Sequence, residues 1–187
     1  LSFLLLNAPK NNNRNANIWL GAFVATLAAA FLEIFIHNLN LQIQYPVVVD
    51  LLELSRFLSA PTLFLSIQFF TNPNKNFNIK DFWHFVPFCV FFLFRWLTIL
   101  RGYDWQFPNE TAQFIVFAII RNTLPLQTVV YWFICYRKLQ KHQKNIQKIS
   151  ATVDTINLNW LHYFLLILAV LFVILLNLAI FNIIILL

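Results

Sequence analysis

The 187-residue sequence has no methionine, two glycines and two cysteines, and charged residues make up only 11% of it. With Gly21 and Gly102 alone, no glycine-rich loop can cradle a phosphate, and a collagen-like repeat is excluded. Two cysteines cannot build a disulfide scaffold. Cys89 and Cys135 both fall inside apolar segments, where buried free thiols are expected. No basic stretch precedes Leu1, so the start is not expected to be a secretory signal. Without a methionine at position 1, and with apolar runs at Leu1–Leu6 and Ile183–Leu187, the chain reads as a fragment whose first and last elements are cut.

What is present is apolar: 60% of the residues are hydrophobic and 18% aromatic, with a mean hydropathy of +0.69. An ordinary soluble domain is roughly 25% charged, and a core of this length cannot hide so much apolar surface from water. A disordered chain is excluded by the same hydrophobicity. The expected class is all-α integral membrane, a multi-span helical bundle forming a single domain over residues 1–187. Strand-like alternation is absent, which argues against a β-barrel. About 20 apolar residues cross a bilayer as a helix. Spans are predicted over residues 1–6 (a partial one), 18–37, 47–70, 84–100, 112–136 and 160–187. Breakers fill the connections: Asn7–Asn17 holds Pro9, Thr71–Asn78 holds Pro73 among four asparagines, and Tyr103–Glu110 holds Pro108.

The net charge of +6 is informative through its placement. Lys10, Arg14, Lys75, Lys80, Arg137, Lys138, Lys141, Lys144 and Lys148 occupy the odd-numbered connections, whereas Arg101 alone lies in an even one. Basic loops stay in the cytoplasm, so the odd loops are predicted there. Trp19, Trp83, Trp105, Trp132 and Trp160 fall near span ends, as an aromatic belt requires. The last predicted span starts inside at Trp160 and emerges outside near Leu187. A cytoplasmic continuation therefore needs a seventh helix, making this chain six of seven.

Three basic residues remain, Arg56, Arg95 and Arg121, all within spans. Ionisable groups at membrane depth mark function or pairing. At about 1.5 Å per residue, Arg95, Arg56 and Arg121 lie roughly 9, 12 and 13 Å from the outer ends of their helices. Glu33, four residues from His37, closes the 18–37 span at its outer end, and Asp50 and Glu53 begin the next. The spacing of Asp50, Glu53 and Arg56 is expected to line one helix face. Six charged groups are thus predicted to converge in the outer half. They form either an ion-pair network holding helices together or a polar pocket for a small polar or anionic ligand, anchored by Arg95 and Arg121 with help from Asn122 and Gln113. Pro61 and Pro125 sit inside spans and are expected to kink them.

Catalytic chemistry is not expected. His37, His84, His142 and His162 are far apart in sequence and are read as lacking metal-ligand partners, so no metal and no cofactor is expected. Ser55, Ser59 and Ser66 have no histidine–aspartate arrangement nearby. His84, next to Trp83, is read as an interfacial hydrogen-bonding residue. Asn109-Glu110-Thr111 matches a glycosylation sequon. The basic stretch from Arg137 to Lys148 is read as a topology anchor that attracts anionic lipid, continuing the preceding helix into the cytoplasm.

Two passages carry a resemblance. Leu58-Ser59-Ala60-Pro61-Thr62-Leu63-Phe64-Leu65 is followed, after a Lys/Asn-rich loop, by Asp81-Phe82-Trp83-His84-Phe85-Val86-Pro87-Phe88. Further on, Lys148-Ile149-Ser150 precedes Ile156-Asn157-Leu158-Asn159-Trp160-Leu161, and the first polar loop is followed by Ala16-Asn17-Ile18-Trp19-Leu20-Gly21 as a helix start. Their order and spacing resemble the membrane sensor half of AraC-type helix-turn-helix transcriptional regulators of bacteria. Phe64 and Ser66 stand where that family has a tyrosine, so no role of a tyrosine hydroxyl carries over. The resemblance implies a membrane receptor that passes a signal to a cytoplasmic DNA-binding domain, which this chain does not include.

The expectation is a non-enzymatic sensory domain. Its partners are the lipid bilayer, a small polar or anionic ligand, DNA through a C-terminal domain only, and a second copy of the chain in a homodimer. Three other readings stay open. One is the sensor half of a histidine kinase. A transporter or channel fragment would need a polar path through the inner half. A lipid-modifying enzyme would rely on His84 and Asp81.

Overall fold

A computed structural model describes residues 13–100, 109–149 and 158–185. The predicted partial span 1–6, the loop 101–108 with Trp105 and the connection 150–157 lie outside the described residues, as do the side chains of Gln113 and Arg121. Every regular element among the described residues is helical. The α-helices are α1 (Arg14–Asn38), α2 (Pro46–Thr71), α3 (Val86–Leu100), α4 (Glu110–Ile149) and α5 (Asn159–Ile185). Short 3₁₀ helices at Leu41–Ile43 and Ile79–Phe85 precede α2 and α3. Two compact units divide the chain, Leu1–Tyr131 and Trp132–Leu187.

Among the described residues one helix, α1, is long and apolar enough to cross a membrane, with a mean hydropathy of 2.0 over its most apolar window. Its six alanines and its leucines are strong helix formers. The helix ends where Leu39 N–H still reaches Phe35 O at 3.2 Å and Asn40 N–H turns to His37 O at 3.0 Å. Asn40 adopts φ 55°, a left-handed conformation that asparagine tolerates better than most residues. Pro46 then starts α2 at a position where its missing N–H costs nothing.

Helix α2 is the core of the first unit. From Ala60 to Thr71 every residue is buried, so this half is surrounded on all sides. In its first half only Val49, Asp50, Leu54 and Phe57 are buried, a single stripe at helical spacing. Pro61 lies mid-helix and cannot donate to the carbonyl of Phe57 four residues earlier. Gln127 of α4 supplies the donor instead, with Nε2 3.2 Å from Phe57 O. At the far end of the α1–α2 hairpin, Ser66 Oγ donates to Ala16 O at 3.1 Å, both residues fully buried.

The connection from α2 to α3 is latched to the end of α2. Asp81, 4% exposed, accepts from Lys75 Nζ at 2.7 Å, Asn78 N–H at 2.9 Å and Gln68 Nε2 at 3.4 Å. With Asn78 it forms a capping box that starts the 3₁₀ helix. Trp19 of α1 stacks on Phe77 at 5.5 Å. Burial pushes the Asp81 carboxyl up. The hydrogen bonds from Lys75 and Asn78 and the Lys75 charge outweigh it, so the group sits below the usual carboxylate value.

In the second unit the last part of α4 pairs with α5. Cys135 and Leu139 on α4 are buried, as are Leu161 and Leu165 on α5 and Leu158 just ahead of it. Trp132 Nε1 donates to Leu165 O at 2.9 Å, and the Tyr136 and His162 rings lie 5.3 Å apart. Cys135 is buried as expected, but Cys89 is exposed on α3, which corrects the reading of both thiols as interior. The reason is position: the described core of the first unit collects on α2, and α3 contributes only one face to it.

Candidate functional site

Of the six charged residues singled out above, the structure brings four into two ion pairs. Arg56 of α2 bonds to Glu33 of α1 through Nη2 and Oε1. Arg95 of α3 bonds to Asp50 of α2 through Nη2 and Oδ1. Each pair has the same construction. The carboxylate is buried and the guanidinium is about one-third open, 38% for the Arg56 side chain and 34% for that of Arg95. Arg–carboxylate contacts of this kind are charge-assisted and geometrically specific.

The two pairs point different ways. A helix turns about 100° per residue, so three-residue steps rotate each next side chain by about 60° and two such steps by about 120°. Asp50 therefore faces α3 while Arg56 faces α1. The expectation that Asp50, Glu53 and Arg56 line one face is corrected accordingly: the row winds around α2 and its ends serve different neighbours. Glu53, between them, is exposed.

His37 joins the first pair. Its Nε2 lies 4.0 Å from Glu33 Oε1. Ligand-capable atoms of Glu33, His37 and Glu53 all lie within 4.8 Å of one another. The reading of the histidines as lacking carboxylate neighbours is thus corrected at His37. The i, i+4 spacing to Glu33 put them on one helix face, and only the packing of α1 on α2 adds Glu53.

Arg121 sits on α4, but its side chain lies outside the described residues, so its convergence with the others and its role as an anion anchor are not part of this geometry. Asn122, expected to add hydrogen bonding to a pocket, donates to Ala118 O of its own helix at 2.7 Å. A cavity of about 210 Å³, lined by Arg14, Asn15, Phe69 and Asn74 among others, lies at the opposite end of the α1–α2 hairpin from these charges.

His84 and Asp81, the two residues named for lipid chemistry, are otherwise engaged. Asp81 caps the 3₁₀ helix, and His84 Nδ1 lies 2.7 Å from Tyr131 Oη with its ring 4.6 Å from Phe64. Tyr131 and Gln127 are polar residues of α4 that the sequence reading missed. A signal for Gln127 existed, because Pro61 strips the Phe57 carbonyl of its helical partner and a buried acceptor needs another. Comparison of the chain with protein-family models, with curated proteins and with solved structures finds no match.

Proposed function

We propose that this chain is the membrane-embedded sensory half of a bacterial transcription regulator, a multi-span helical bundle whose outer half carries the sensing charges. The observation that carries the reading is the pair of guanidinium–carboxylate bonds, Arg56–Glu33 and Arg95–Asp50, joining α1 to α2 and α2 to α3. Charges within apolar helices are retained where they pair or act. Two pairs that couple three helices form an element whose arrangement a ligand can bias, provided that it binds the two packings differently.

The helix surfaces support a bilayer setting. Phe31 is 71% exposed, and Leu32, Ile34 and Phe35 beside it are also exposed. Phe114, Ile115 and Ile119 on α4 and Ile167, Val170, Leu171 and Ile174 on α5 are open as well. Apolar surface on this scale faces lipid or another apolar partner. The Lys/Arg distribution orients the basic connections to the cytoplasm. Helix α4, with 40 residues, is about 60 Å long against a hydrocarbon core of about 30 Å. Its basic end from Arg137 onward then lies in the cytoplasm. The signal would leave through the last helices toward a cytoplasmic helix-turn-helix domain.

The test begins with the coding sequence beyond Leu187. A seventh apolar span followed by roughly one small domain with two helix-turn-helix units is the expected result. A kinase core there keeps the sensor and changes the output. A stop codon, or further spans repeating these, sinks the receptor in favour of a transporter. In the full-length protein, Arg95→Gln and Arg121→Gln are expected to abolish a transcriptional response while folded protein persists. If they lower only the folded yield, the pairs are structural.

A further inference from the structure

We infer that Glu33, His37 and Glu53 form a binding site for one first-row divalent cation of the zinc class, at the end of the α1–α2 hairpin beside Leu39–Tyr45. Glu33 and His37 sit one helical turn apart on α1, the i, i+4 arrangement by which a helix presents two ligands on one face. Glu53 comes from α2, so the ion would bridge two helices. One carboxylate oxygen from each glutamate and one imidazole nitrogen already lie within 4.8 Å of one another. Ligands around a tetrahedral zinc at bond lengths of about 2.0–2.1 Å stand roughly 3.3 Å apart. His37 and Glu53 are exposed and can close that gap by side-chain rotation, whereas Glu33 is fixed by burial.

A second observation is independent of the cluster itself. Glu33 is 3% exposed, and while its Oε1 holds Arg56, its Oε2 is buried without a hydrogen-bond partner. A buried carboxylate oxygen left bare is costly, and a cation satisfies it. Glu53 makes no ion pair among the described residues and places a second negative charge beside Glu33. The neighbouring guanidiniums do not fill the gap. Arg56 is on the other oxygen of Glu33 and Arg95 is on Asp50. With a cation on Oε2, Arg56 becomes the outer partner that orients the ligating carboxylate, as such partners commonly do. The imidazole selects a transition ion over Mg²⁺, which prefers oxygen ligands and its own water.

The binding claim stands on this geometry, and its meaning as the sensed signal rests on the function proposed above. The test uses tag-free protein purified in detergent, stripped with a chelator and dialysed against Zn²⁺, with bound metal read by elemental analysis and affinity by titration. One zinc per chain is expected. Glu53→Gln and His37→Gln, both at exposed positions, should each weaken binding by about tenfold or more with helicity unchanged by circular dichroism. His142→Gln should bind as the native chain does. Substoichiometric zinc, or native affinity in both Glu53→Gln and His37→Gln, overturns the site; if one variant misfolds, the other decides. A transcription reporter in cells with the full-length protein separates the two claims. Zinc bound with no effect on the reporter keeps the site and rejects zinc as the signal. Absent binding, together with an output silenced by Arg95→Gln, rejects the site and keeps the sensor.

Discussion

Gln127 reaches from α4 to α2 and donates its side-chain amide to the carbonyl of Phe57, 3.2 Å away and four residues ahead of Pro61. The proline creates the vacancy and the glutamine fills it. Leaving a buried acceptor bare costs about 1–3 kcal/mol. Gln127→Leu should therefore destabilise the protein by about 1 kcal/mol. In a Pro61→Ala background the new N–H of residue 61 can bond Phe57 O, and the same substitution should cost less. A double-mutant cycle on thermal unfolding in detergent measures the difference; additive effects would show that the amide does not serve the proline site.

Arg56 and Glu53 lie three residues apart on α2 and should differ sharply on substitution. Arg56→Leu strands the buried Glu33 carboxylate, and breaking a buried pair from one side costs up to about 3–5 kcal/mol, less here because the guanidinium is partly open. Glu33→Leu added to Arg56→Leu should recover part of the loss. Glu53→Gln should change stability in metal-free buffer by less than about 0.5 kcal/mol. Melting temperatures of the three variants against the native chain check the order.

His142 prolongs the buried seam of Cys135 and Leu139 at helical spacing, and its Nε2 is buried without a partner. Burial holds its pKa below the ordinary histidine value. In the folded state it therefore binds a proton less readily than in the unfolded state. The stability this supplies is present above the unfolded value and is lost as pH falls from there through the folded value. Lowering pH from about 7.5 to 5.5 should reduce the melting temperature of the native protein, and the reduction should shrink in His142→Leu. An equal pH response in both would remove His142 from the account.

Asp81 gathers Lys75, Asn78 and Gln68 into one latch. Replacing a capping carboxylate costs roughly 0.5–2 kcal/mol. Asp81→Ala should free the connection between α2 and α3 locally, so hydrogen exchange at the backbone amides of residues 75–86 should quicken while that of residues 60–71 in the core of α2 stays slow. Protection unchanged across the connection would show that other contacts hold it.

Helix positions are legible in part, because apolar runs and breakers are local signals: the Asn-rich loop around Pro73 follows the end of α2 at Thr71, whereas α1 begins at Arg14, inside the predicted connection Asn7–Asn17. The residues that pair across helices were legible only as a set. Glu33, Asp50, Arg56 and Arg95 stood out as charges in apolar surroundings, but which guanidinium meets which carboxylate depends on how α1 and α3 are disposed around α2. Glu53 beside His37 is of the same kind, since it arises from packing between helices that no spacing within one of them encodes. Gln127 and Tyr131 escaped notice because uncharged polar residues in an apolar run carry little signal until the group they satisfy is known.

The Ser66–Ala16 bond and the Arg56–Glu33 pair tie the same two helices at opposite ends. On α1 their anchor points are 17 residues apart in the sequence, or about 25 Å along the axis. The first tie joins two small, fully buried residues; the second joins two long side chains, of which Arg56 is partly open. A movement of 1 Å at the charged end would correspond to a tilt of only about 2° about Ala16. By this geometry the α1–α2 hairpin would turn a displacement at its charged end into a change of angle rather than of length.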